Sequence, residues 1–157
     1  MLMVGRFGLI RVTEMAHQLN LRYHRGGRRC NNTGMKVLLV DDNKDIADMV
    51  RLCLESQDIE CELIGDGRAG LQSIKENNFD LILLDLAIPE FSGFDIFDAL
   101  RDEGLLESKN VLIFTASSVT DQEVQEMLSS GAKGVLRKPL SIDDLTEAVE
   151  RFQKNGN

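Results

Sequence analysis

From Met35 onward, runs of four or five apolar residues alternate with stretches whose apolar positions recur every three or four residues. The first run, Lys36–Val40 (KVLLV), is continuous, as a strand buried on both faces must be. Ile46, Met49, Val50, Cys53 and Leu54 then follow at helical spacing. Glu60–Ile64 reads as a second strand, and Asp66 is placed to cap a helix carrying Leu71 and Ile74. Leu81–Leu84 (LILL) is a third strand ending on Asp85, and Phe94, Phe97 and Leu100 mark a third helix. Val111–Phe114 (VLIF) is a fourth strand ending on Thr115.

Thr120 and Glu123 form a capping box before a helix with Val124, Met127 and Leu128 inward, and Gly131 stops it. Gly134–Arg137 is a fifth strand. Ser141 and Asp144 make a second capping pair before Leu145, Ala148, Val149 and Phe152. Five strand–helix units in succession predict an α/β fold, a parallel sheet covered by helices on both faces.

The region before Met35 lacks this periodicity. Residues 1–34 carry six arginines against one acid, Glu14, whereas the remainder carries 12 bases and 25 acids within a chain of net charge −8. Residues 1–34 are read as a basic arm, either disordered or upstream of the true start, and residues 35–157 as the folded domain. A docking arm and an Arg-rich transit segment are the other readings of the arm. The acidic body argues against direct nucleic-acid binding. No apolar run reaches the ~20 residues of a membrane helix. Cys30, Cys53 and Cys61 form no CxxC, so buried reduced thiols in a cytoplasmic protein are expected. His17 and His24 fall in the arm, where a metal role is not expected.

Ligands of open α/β sheets bind beyond the carboxyl ends of the strands. Asp41 and Asp42 follow the first strand, Asp85 ends the third, Thr115 ends the fourth, and Lys138 with Pro139 follows the fifth. Three carboxylates, a hydroxyl and an ammonium thus share one rim. Clustered carboxylates call for a cation, and oxygen ligands without Cys or His favour Mg²⁺, with Mn²⁺ as the alternative. A carboxylate beside such a cation can attack a phosphoryl group, whose charge the cation and a lysine stabilise.

VDD (40–42), LLDLAIPEFSG (83–93), FTAS (114–117) and GAKGVLRKPL (131–140) make the chain from Met35 to Phe152 resemble a response-regulator receiver domain of two-component systems. The resemblance implies a flavodoxin-like sheet of order 2-1-3-4-5 and a phospho-accepting Asp85 served by a sensor histidine kinase or histidine phosphotransfer protein. It also implies metal ligation by Asp42, Asp85 and the Ala87 backbone carbonyl, with Asp41 acting through water. Thr115 and Lys138 would contact the phosphoryl group, and the Lys138–Pro139 peptide would be cis. Such a protein is a signalling switch rather than an enzyme. With nothing beyond about residue 153 to form an output domain, the reading is a stand-alone, chemotaxis-regulator-like receiver acting through a partner protein.

Val135 stands where the family often has Tyr or Phe, so the aromatic swing that reports phosphorylation is expected to be replaced by another relay. Neither Ala87 nor Ser117 offers a carboxylate or amide to orient water, so self-dephosphorylation is expected to be slow. Two other classes compete. Gly65–Gly70 matches GxGxxG after a strand, with Asp85 placed 20 residues on to hold a ribose, the pattern of a dinucleotide-binding protein. A non-phosphorylated interaction module is the other. Both leave Asp41, Asp42, Thr115 and Lys138 without a role.

Overall fold

The computed structural model describes residues 34–116 and 118–153. The strands are β1 (Lys36–Val40), β2 (Glu60–Ile64), β3 (Leu81–Asp85), β4 (Val111–Thr115) and β5 (Gly134–Arg137). The helices are α1 (Lys44–Glu55), α2 (Gly67–Glu76), α3 (Gly93–Asp102), α4 (Asp121–Ser130) and α5 (Ile142–Gln153). All strand pairs are parallel, in the expected order β2-β1-β3-β4-β5. The continuous apolar runs β3 and β4 are buried along their whole length, and β1 is buried after its first residue. Strands β2 and β5 form the edges and are only partly covered.

Alternation along each strand divides the interior into two layers. Leu38, Val40, Ile82, Leu84 and Ile113 face Ile74 of α2, Phe97 and Leu100 of α3 and Met127 of α4. Val37, Leu39, Leu81, Leu83 and Phe114 face Val50 and Leu54 of α1 and Leu145 and Val149 of α5. Among the described residues no helix is long and apolar enough to cross a membrane.

The predicted caps form. Asp66 accepts from the Ala69 amide at 2.8 Å, and Thr120 and Glu123 exchange bonds at the start of α4. Asp144 N–H donates to Ser141 Oγ at 3.0 Å, and Gly131 ends α4 at φ 125°. A further capping box, Ser92 with Asp95, opens α3. The sequence reading did not single it out, although its spacing is that of Ser141 and Asp144. Cys53 is buried as expected, but Cys61 is only half-buried, because β2 is an edge strand. Desolvation still pushes the Cys61 thiol up to about 12, so neither described cysteine is a ready nucleophile.

Helix α2 lies against β1 through Gly70. A Cβ there would come within 2.6 Å of Val40 Cγ1, on a buried, β-branched side chain with little rotamer freedom. Gly70→Ala is therefore expected to destabilise the domain by about 2 kcal/mol in urea unfolding. Combining it with Val40→Ala should cost clearly less than the sum of the two single changes, since each relieves the other. Additive losses would show that α2 shifts freely at this contact.

Candidate functional site

The strand register sets the site. Val40 pairs with Leu84 and Asp85 with Phe114, so β1, β3 and β4 end nearly level. On β5, Arg137 pairs with Thr115, and Lys138 is the next residue. Asp41 continues β1 by donating its amide to Ile64 O at 3.0 Å, which fixes the backbone where its side chain turns inward.

Asp41 and Asp85 are 4% and 3% exposed, whereas Asp42 is exposed. One carboxylate oxygen from each of the three lies within 4.8 Å of the others. Lys138 reaches into this cluster. Its Nζ donates to Asp41 Oδ2 at 2.8 Å and lies 3.2 Å from Asp85 Oδ2. The Lys138 amide donates to Thr115 O at 2.7 Å, locking the base of the side chain to the end of β4. Burial pushes the Asp41 carboxyl up from its ordinary value. The Lys138 bond and the Asn43 amide pull it back, while the Asp85 charge adds to the rise.

Three carboxylates against one ammonium leave two negative charges in excess at a largely desolvated rim. The donors are all oxygen, with neither thiolate nor imidazole among them. Such a set fits a hard divalent cation of the Mg²⁺ or Mn²⁺ kind.

The remaining candidates are placed differently. Ala87 is exposed on the loop after β3, and its amide donates to Asp85 Oδ1 at 3.2 Å. Thr115 is buried at the rim, one residue beyond the strand partner of Asp85, and its hydroxyl donates to Ala116 O at 3.2 Å. The Lys138–Pro139 peptide is cis, as the resemblance implied. Val135 is partly buried and packs into the layer beneath α2, α3 and α4. Ser117, the proposed basic arm with His17, His24 and Cys30, and residues 154–157 lie outside the described residues.

Two residues of the site went unrecognised in the sequence. Phe114 looked like one more core position of an apolar strand, yet the Lys138 ammonium sits 4.6 Å from its ring centroid. Gly93 was given no role of its own within the LLDLAIPEFSG segment. A Cβ on it would fall 2.0 Å from the carbonyl oxygen of Asp85 itself.

Two glycines of the GxGxxG stretch, Gly67 and Gly70, have packing roles. A Cβ on Gly67 would lie 1.9 Å from Phe91 O, and Gly70 faces Val40. The space before the helix that a pyrophosphate would need is thus taken by the Phe91 backbone, and Asp85 points to Lys138.

The family model of the response regulator receiver domain matches residues 37–150. Response regulator ArlR of Staphylococcus saprophyticus is 34% identical over 114 residues, covering 73% of this chain and 50% of that protein. Response regulator protein PmrA of Pseudomonas aeruginosa is 36% identical over 120 residues, covering 76% of this chain and 53% of that protein. The chain therefore spans about half the length of these curated relatives. Among solved structures, the Francisella response regulator 1452 receiver domain superposes with a TM-score of 0.69 at 32% identity. That match covers 78% of this chain and 99% of the other.

Proposed function

The chain belongs to the response-regulator receiver family of two-component signalling, and from that premise we propose that it is a phospho-accepting switch with Asp85 as the acceptor. One observation carries the reading. Lys138 joins Asp41 and Asp85 at a buried rim where Asp42 adds a third carboxylate.

In this reading an Asp85 carboxylate oxygen attacks phosphorus while the bond from phosphorus to the donor's imidazole nitrogen breaks. The imidazole leaves with that bonding pair, and Asp85 becomes an acyl phosphate. Lys138 moves its ammonium from Asp85 to a phosphoryl oxygen, retaining Asp41 as its other partner. Thr115 turns its hydroxyl from Ala116 O to another phosphoryl oxygen. Asp42, Asp85 and the Ala87 carbonyl would hold Mg²⁺ directly, and Asp41 through water. The ion, when bound, supplies positive charge that offsets the carboxylates and the incoming phosphoryl group.

The donor would be a sensor histidine kinase or a histidine phosphotransfer protein, and the output a protein partner. In this reading the acidic body would not bind nucleic acid directly, and the setting would be the cytoplasm. The protein in this reading signals rather than turning over a substrate. Phosphorylation adds about −1.5 to −2 charges beside Thr115 and Lys138, which shifts the populations of the β4 and β5 ends and of α4.

Incubation with acetyl phosphate and Mg²⁺ is expected to add one phosphate to the intact mass of the full chain. Chelating the divalent ion beforehand should abolish the addition. No gain in mass with Mg²⁺ and a small-molecule donor, in protein shown to be folded, would remove the basis of the proposal.

A further inference from the structure

Besides the two carboxylates of Asp41 and Asp85, the Lys138 ammonium meets an aromatic ring. That ring is Phe114, with 4.6 Å from nitrogen to ring centroid. Phe114 is fully buried and is the strand partner of Asp85 on one side and of Leu136 on the other. Strand partners share a face of the sheet, so the ring and the Asp85 carboxylate lie on the same side of it. The layer of Leu39, Leu83 and Leu112 holds the ring in place. The lysine arrives from β5, an edge strand with little cover of its own.

We propose that Phe114 is a positioning residue for phosphoryl acceptance: its ring face holds the Lys138 ammonium over the rim, between Asp41 and Asp85. This rests on the reading of Asp85 as acceptor. A free lysine side chain has four rotatable bonds, and two carboxylates fix the direction of its charge but not its height above the sheet. The negative face of a buried ring supplies that third restraint in a desolvated setting, where a cation–π contact is strongest. When a phosphoryl group takes over the Asp85 end of the ion pair, the ring and Asp41 still hold the nitrogen. An aliphatic residue at position 114 would fill the same space in the layer without attracting the charge.

The test separates ring electrostatics from packing. Phenylalanines with increasing fluorine substitution, introduced at position 114 alone, keep the ring's shape while weakening its negative face. With acetyl phosphate and Mg²⁺, the rate of phosphate uptake is expected to fall stepwise along the series. The most fluorinated ring should be about tenfold slower than the natural one. Phe114→Leu should be at least as slow while remaining folded. By NMR without any phosphoryl donor, the Lys138 ε-methylene protons should be shifted upfield by the ring, and Phe114→Leu should return them to ordinary positions.

A flat rate across the fluorinated series, in protein whose natural form takes phosphate, overturns the proposal. So does an unshifted Lys138 signal. If the natural protein takes no phosphate at all, the acceptor reading fails and the positioning role fails with it. The NMR signal would then still report separately whether the ring and the ammonium touch.

Discussion

Asp85→Asn is expected to take up no phosphate from acetyl phosphate and yet to unfold at a higher urea concentration than the natural protein when divalent cations are absent. The two effects share one cause. Asp85 is 3% exposed and faces another buried carboxylate, Asp41, with Asp42 close by. One ammonium, on Lys138, serves both buried acids. The natural arrangement therefore confines more negative charge than it neutralises; burial is the main cause of the rise of the Asp41 carboxyl, and the Asp85 charge adds to it.

Asparagine keeps the shape, and its single carbonyl oxygen can still accept from Lys138 or from the Ala87 amide, but it removes one charge from the cluster and cannot form an acyl phosphate. A gain of about 1 kcal/mol fits the usual scale for relieving strain stored at a functional site. Added Mg²⁺ should stabilise the natural protein by mass action and the variant much less, since one ligand charge is gone. Equilibrium unfolding with and without Mg²⁺, alongside intact mass, checks all three expectations. A variant that still gains phosphate would move the acceptor elsewhere.

Gly93→Ala is expected to damage stability and chemistry together. The added methyl would sit 2.0 Å from Asp85 O and 2.7 Å from Leu86 Cα. These are backbone atoms at the end of a central strand, so no rotamer change relieves the overlap. The Gly93 amide also donates to Leu86 O at 3.2 Å, which holds α3 against that segment. The loss should be about 3 kcal/mol in urea unfolding, at the upper end for overpacking. Whatever accommodation occurs must displace Asp85, so phosphate uptake should fall by roughly a hundredfold, the scale of a 1 Å misplacement.

Gly104→Ala makes the contrast. That glycine has φ 70° and nothing within 4 Å of a Cβ, so only backbone strain opposes the change. A cost of about 1 kcal/mol and unaltered phosphate uptake are expected there. Equal effects at the two positions would mean that the approach of α3 to Asp85 is not what Gly93 protects.

Strand positions and the rim residues were legible because a strand buried on both faces must be apolar throughout, so the first polar residue after it marks the sheet edge. That logic placed Asp41, Asp85 and Thr115. Capping pairs were legible from their spacing before an apolar-periodic stretch, as at Thr120 with Glu123 and Ser141 with Asp144. Contacts that only the folded chain makes left no local mark. Gly93 resembles any glycine after a turn, and Phe114 resembles any core aromatic, because what distinguishes them is a backbone or an ammonium brought there by another strand. The half-exposure of Cys61 likewise depends on β2 lying at an edge, a matter of strand order rather than of the pattern within Glu60–Ile64.

The strand order also governs when the site can exist. The carboxylates come from the ends of β1 and β3, while their counter-charge arrives on Lys138, after β5 has added to the outer side of β4. Any sheet that lacked β5 would hold the acids with no ammonium to quiet them. The site is thus electrostatically incomplete until the fifth strand docks. Pairing of Gly134–Arg137 along β4 brings the ammonium and closes the sheet in one event, making the finished rim a marker that the whole chain through that strand has folded.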